Sequence, residues 1–307
     1  MQIKELYLTL IPESVRYLIW VAKAAALNPW FYAILACVFA AEKMIPANRN
    51  QKTFSKGLWQ DFLWFQTDNL LQLVWIPVYL GFLKMVYDRY LAFLTVHAVG
   101  EWPEGVRFVA AFVITDFFAW LHHYIRHKVK YFWFFHTIHH SQKEVNVFTE
   151  GRFHMVEPVI AWFIRFIPVF MLDLSGVSIV AVAFIHRWYT RIYHANLKTN
   201  YGFLKYFMVT PQSHRIHHSS RPEHRDKNFG VIFSVWDRLF GTQYKNYEEY
   251  PETGIEDVSF PAEQKAKGLG FIGVYFQQIL YPFRLLYQEM ADKFSTPVKV
   301  GDEKCAA

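Results

Sequence analysis

Three features of the sequence predict an all-α protein: an integral membrane helical bundle of about four transmembrane segments with a cytoplasmic helical cap. Long apolar stretches recur, separated by short polar links. Hydrophobic residues make up 53% of the chain and aromatics 19%, against 19% charged, a balance unusual for a soluble domain. Trp and Tyr favour membrane–water interfaces, so eleven Trp and eighteen Tyr point the same way. Histidines cluster at one-turn spacings, and six of the fourteen lie in residues 122–140.

The elements follow in order. Residues 15–45 are apolar, and Asn28-Pro29 splits them, because proline breaks a helix; an interfacial helix and then a first membrane segment are expected. Residues 42–57 form a polar link with Lys43, Arg49, Lys52 and Lys56. Residues 58–87 are a second long apolar stretch with a kink expected at Pro77. The 88–106 loop has few basic residues. A third segment, Val106 to Tyr124, ends at the first histidines. Residues 158–172 and 177–193 form an apolar hairpin around Asp173-Leu-Ser-Gly176. Residues 194–245 are too polar to span and are expected to form the cap. A final helix over 269–287 is expected to be amphipathic and interfacial. The domains predicted are an N-terminal membrane anchor (1–105), a catalytic region (106–245) and an amphipathic C-terminal tail (246–307).

Charge sets the orientation. The basic 42–57 link goes to the cytoplasm under the positive-inside rule, and the third segment returns there with Arg126, Lys128 and Lys130 beside its histidines. The hairpin goes out and comes back, so both histidine clusters meet on the cytoplasmic face. The net charge of +6 suits an anionic leaflet; the basic residues are scattered, and no nucleic-acid partner is expected. Two cysteines, Cys37 and Cys305, exclude a disulfide framework and a thiolate metal site. Glu5 and Glu13 interrupt the N-terminus, which is unlike a signal peptide.

Neutral imidazole is the commonest protein metal ligand. His123 and His127 share one helix face, as do His136 and His139. His140 lies about 100° further round, toward a second ion. His214, His217 and His218 repeat that pattern, and His194 adds a ninth donor. A single ion rarely takes more than about six ligands, so nine imidazoles predict a dinuclear centre. His122 is read as a neighbour, His186 as a packed polar residue, and His97 and His224 as solvated loop residues. His154 is a weaker ligand candidate.

The run Asp116-Phe-Phe-Ala-Trp-Leu-His-His123-Tyr-Ile-Arg-His127 precedes Trp133-Phe-Phe-His136-Thr-Ile-His139-His140-Ser141. Asn146-x-x-Thr149-x-x-Arg152-x-His154-x-x-Glu157 and His194-x-Asn196 come next. Thr210-Pro-Gln-Ser-His214-Arg-Ile-His217-His218-Ser219 and Phe229-Gly-(x)5-Trp236-Asp237-Arg238-Leu-Phe-Gly-Thr242 complete the series. In order and spacing these blocks, over residues 116–242, resemble the fatty acid hydroxylase / sterol desaturase superfamily. The resemblance implies a membrane-bound, O2-dependent oxidoreductase with two iron ions that hydroxylates or desaturates a lipid: a sterol, fatty acyl, sphingoid or related substrate. It implies an eight-histidine ligand set of His123, His127, His136, His139, His140, His214, His217 and His218, with His194 matching a further family histidine. Two positions depart from the pattern: His122 stands where an apolar residue is usual, and Thr190 stands where a polar amide is often found.

Imidazole donors suit zinc and copper as well as iron, so a zinc-dependent membrane lipid hydrolase is the alternative, and a bis-histidine haem or metal-transfer protein a third. Side chains expected to orient the imidazoles are Asp116, Glu144, Asn146, Glu157, Asn196 and Asp237. Arg152 and Glu157 also suit pairing with each other. The chain has no dinucleotide-binding motif, so an external reductase, ferredoxin or cytochrome must supply electrons. Arg215, Arg221, Arg225 and Lys227 are a candidate face for that donor, or equally for anionic headgroups. The substrate pocket is expected between the hairpin and the third segment.

Overall fold

The computed structural model describes residues 29–172, 174 and 176–295. Among them the chain is all-helical, with isolated β-bridges such as Pro46 with Leu197 and no strand. Helix α1 (Pro29–Met44) begins at the proline that was expected to break the apolar run, where a missing N–H costs nothing. The expected helix before it lies outside the described residues.

Helix α2 (Lys56–Val86) runs unbroken across Pro77 and is capped by Ser55, whose hydroxyl accepts from Leu58 N–H. It ends in a π-turn, Tyr87–Leu91, and two short 3-10 turns. Helix α3 (Glu104–Lys128) carries His123 and His127 in its last two turns. Helix α4 (Lys130–His140) follows after one residue and carries His136, His139 and His140. The apolar hairpin is α5 (Glu157–Met171) and α6 (Gly176–His194). The polar region after it holds two short helices, α7 (Pro211–His217) and α8 (Val235–Leu239). Thr210 and Ser213 form a capping box that starts α7 one turn before His214.

Helix α9 (Gly270–Ser295) extends beyond the expected 269–287, with Pro282 inside it. It packs into the bundle. Tyr275 lies 4.6 Å from Trp64 between ring centroids, and a core of Trp64, Ile138, Phe260, Tyr275 and Tyr281 ties α9 to α2 and α4. Ile138 is fully buried between His136 and His139, so this core supports the back of the histidine helix. Among the described residues one helix, α3, is long and apolar enough to cross a membrane by length and composition.

Candidate metal centre

The nine candidate histidines converge from four helices and the residue that follows α7. Their inward nitrogens fall into two groups, each within 4.8 Å: His123, His127, His136, His140 and His217; and His139, His194, His214 and His218. The groups touch, since the His140 and His218 rings stack with centroids 4.5 Å apart.

The sharing within α4 differs from the expectation. His136 goes with His140, and His139 goes to the other group. The same happens at the second cluster, where His214 pairs with His218 and His217 crosses over. Four residues turn a helix through about 400°, leaving a pair roughly 40° apart, whereas three residues leave it roughly 60° apart. Each H-x-x-H-H run therefore gives two donors to one group and one to the other.

Several nitrogens meet with no proton donor settled between them. His214 Nε2 lies 2.8 Å from His194 Nε2 and 3.0 Å from His218 Nε2, and His127 Nε2 lies 3.1 Å from His140 Nε2. His123, His136 and His217 have buried Nε2 atoms without any hydrogen-bond partner. Burial costs a polar atom its water, so convergent unpaired nitrogens call for an acceptor of lone pairs. A metal cation fits this donor set, and imidazole suits iron, copper and zinc. Burial also holds His136, His139, His140, His214, His217 and His218 well below the usual imidazole pKa, so they are neutral at pH 7, the form that binds metal.

The outer nitrogens fix the tautomers. A carbonyl only accepts, so His123 Nδ1 donates to Phe229 O at 2.9 Å, His217 Nδ1 to Lys227 O at 2.8 Å and His194 Nδ1 to Thr190 O at 2.6 Å. Each leaves Nε2 a lone pair aimed inward. The Thr190 contact uses its backbone, one helical turn before His194, so that hydrogen bond does not depend on the side chain at this position. His136 Nδ1 sits 2.9 Å from Glu157 Oε2, which also accepts from Arg126 Nη1 at 2.9 Å. Asp226 Oδ1 lies 3.7 Å from His127 Nδ1.

The other polar side chains expected against imidazoles lie elsewhere. Asp116 accepts from the N–H groups of Ile232 and Phe233 and from Trp236 Nε1, at 2.8, 3.0 and 2.9 Å. Asp237 accepts from Phe229 N, Gly230 N, Trp120 Nε1 and Thr242 Oγ1. Both carboxylates clamp the 229–236 loop, and Phe229 O is the acceptor that aims His123, so they act one step away. Gly230 permits this clamp: a Cβ there would lie 2.7 Å from Val209 Cγ2 and 3.0 Å from Asp237 Oδ2. Asn146 donates to Asp61, Glu144 accepts from Gly57 N–H, and Asn196 accepts from Asn48 N–H.

Arg152 does not pair with Glu157. It is fully buried, donates to Asp61 Oδ1 at 2.7 Å and to Glu263 Oε2 at 3.3 Å, and binds Ile138 O and Ser141 Oγ at the end of α4. A buried guanidinium takes the partners that surround it in space, here from α2 and the C-terminal region. His122 and His154 are buried and join neither group, and His186 packs against Phe112. His97 is exposed as expected. His224 is buried, not solvated, because Glu249 and Tyr244 cover it. Arg215 also leaves the expected basic face: α7 turns it inward, where Nε donates to Pro251 O.

An apolar cavity of about 360 Å³ lies beside the centre. Its walls come from α2, residues 153–155, the first hairpin helix α5 and α9, so the hairpin contributes as expected and the third apolar segment does not; Trp64, Leu71, Phe153, Val159 and Tyr275 are among them.

The family model described as fatty acid hydroxylase matches residues 108–242, the stretch that supplies all nine histidines. This stretch is thus similar to a fatty acid hydroxylase domain. Ornithine lipid hydroxylase OlsE of Rhizobium tropici is 26% identical over 183 residues, 60% of this chain and 52% of that protein. Alkylglycerol monooxygenase of Danio rerio is 30% identical over 141 residues, 46% of this chain and 31% of that protein. A Delta(7)-sterol 5(6)-desaturase of Gibberella zeae is 26% identical over 153 residues, 49% of this chain and 41% of that protein. The chain thus spans about half or less of the length of these relatives. No solved structure matches it.

Sequence reasoning missed Asp226 and the carbonyls of Thr190, Lys227 and Phe229. Asp226 and Asn228 both have positive φ, 60° and 58°, a rare conformation within the loop that contacts His127, His217 and His123. The polar run Arg225-Asp226-Lys227-Asn228 was the available signal; a backbone acceptor leaves none.

Proposed function

We propose that the chain is a membrane-bound, O2-dependent di-iron oxidoreductase that hydroxylates or desaturates a lipid. The observation that carries this reading is the pair of adjacent imidazole groups, five and four nitrogens, buried and neutral. Two ions of the six-coordinate kind would use nine of about twelve positions, leaving room for oxygen. Two irons, when bound, supply the O2 activation that attacks an unactivated C–H bond. Hydroxylation balances as RH + O2 + 2 e⁻ + 2 H⁺ giving ROH + H2O, so an external electron donor is required. All the relatives named above act in lipid oxidation by name, which favours iron over the zinc hydrolase.

The chain's own residues orient and desolvate. Phe229 O, Lys227 O, Thr190 O and Glu157 hold four imidazoles in one tautomer each. The apolar cavity, which meets His139 through the Phe153 ring, suits the hydrocarbon part of a lipid. Large exposed apolar side chains on several helices, among them Leu70, Phe82, Val109, Phe163, Phe184 and Leu280, support insertion in a bilayer through about four segments. The centre then faces the cytoplasm by the charge argument. Arg221, Arg225 and Lys227 remain as the face for an acidic electron donor.

The test is metal analysis of the protein with lipidomics under 18O2. Two irons per chain and one lipid product carrying 18O, or one lipid newly desaturated in an O2-dependent way, are expected. Zinc with turnover in the absence of oxygen refutes the proposal.

A further inference from the structure

Phe153 belongs to two places at once. It lines the apolar cavity, and its ring stacks on His139 with centroids 4.5 Å apart and planes 13° apart. It is also parallel to His136, 9° off at 6.3 Å, and the Arg126 guanidinium sits 5.5 Å from its centroid. The ring therefore stands between the cavity and both imidazole groups, since His136 belongs to one and His139 to the other.

Its backbone is fixed on both sides. Arg152, just before it, is fully buried and bound to Ile138 O, Ser141, Asp61 and Glu263. Gly151 presses on α2 so closely that a Cβ would lie 2.8 Å from Phe65 Cα. His154, just after it, is buried and accepts from Val156 N–H at 3.2 Å. A ring on such a segment is a wall rather than a flap. The cavity itself is lined mainly by apolar and aromatic side chains. Among the described residues that line it, the carboxylate is Asp68, which accepts from Arg187 at 2.7 Å, and none is basic.

We infer that the Phe153 ring is the inner wall of a binding site for the alkyl chain of a lipid and sets how far that chain extends toward the imidazole groups. This rests on the lipid oxidoreductase reading and names the residue that limits how far the chain enters.

The test uses the full chain in digitonin, a detergent without a linear alkyl chain, and equilibrium binding of a homologous series of tritiated n-alkan-1-ols. Affinity is expected to rise about fourfold per added CH2, ~0.8 kcal/mol, until the chain meets Phe153, and then to level off. Phe153→Ala moves the levelling-off point to chains roughly two to four carbons longer, and Phe153→Leu moves it less. Leu71→Trp fills the cavity from another wall, leaves the histidine stack alone and weakens binding of every alkanol by roughly tenfold or more. In the 18O2 experiment the label moves along the chain in Phe153→Ala. The inference is overturned if wild type and both Phe153 variants level off at the same length, or if Leu71→Trp binds like wild type. Failure of the functional reading looks different: wild type yields no oxidised lipid while the alkanol series still moves with Phe153.

Discussion

Glu157→Gln removes one charge at the point where the candidate metal centre meets the protein's ion pairs. Glu157 Oε2 accepts from His136 Nδ1 and from Arg126 Nη1, both at 2.9 Å, with Glu157 and Arg126 only 5% and 7% exposed. Glutamine keeps the shape and one acceptor, but it leaves the buried guanidinium without its carboxylate. Breaking a buried pair from one side costs roughly 3–5 kcal/mol, so the metal-free protein should melt well below wild type. The loss of the anionic acceptor also weakens His136 as a donor. Such changes lower metal affinity roughly 10–100-fold, or about 1.4–2.7 kcal/mol. Only the five-histidine group contains His136, so under the proposed two-ion centre the loss falls on one ion. Chelator competition followed by metal analysis should show two binding steps in wild type, with one step weakened and one unchanged in the variant. A variant that melts early yet binds both ions with wild-type affinity would refute the argument and leave Glu157 a purely structural ion-pair partner.

Four further outcomes are expected. His140→Ala and His218→Ala, though their rings stack, should each lose a different ion, read as altered spectra of separate halves of the cobalt-loaded centre; loss of the same ion in both would contradict the grouping. Burial lowers the imidazole pKa values of the folded state, so below about 6.5 the unfolded chain binds more protons. The metal-free protein should therefore hold full stability above that pH and lose up to ~1.4 kcal/mol per histidine per unit as pH falls toward the folded values; an equal Tm at pH about 7.5 and 5.5 would count against it. Arg152→Leu strands Asp61 and Glu263 in the interior and should cost roughly 3–5 kcal/mol by denaturant titration, and a change under 1 kcal/mol would sink the hub reading. An epitope inserted after Phe260 should be reached only from the cytoplasmic side, and labelling from the opposite face would overturn the proposed orientation.

The helices and the ligand candidates were legible because both depend on short-range spacing. Pro29 opens α1, the apolar run to Tyr124 delivers His123 and His127, and two H-x-x-H-H runs mark the remaining donors. The partners of charged side chains were not legible. Arg152 looked available to Glu157, five residues on, but its carboxylates come from 91 residues before and 111 after. His224 and Arg215 looked solvated by residue type, and packing buried both.

By itself, then, the sequence determined that nine imidazoles sit on or at the ends of helices at spacings that aim them together, because rotation per residue is a property of the helix alone. Only the tertiary structure decided which nitrogens share a group, since that depends on how α3, α4, α6 and α7 approach one another. It also decided that backbone carbonyls fix three of the tautomers, and that Phe153 stands between the cavity and the imidazoles. Those contacts join residues distant along the chain through groups that every residue carries, or through ring faces that no spacing rule records.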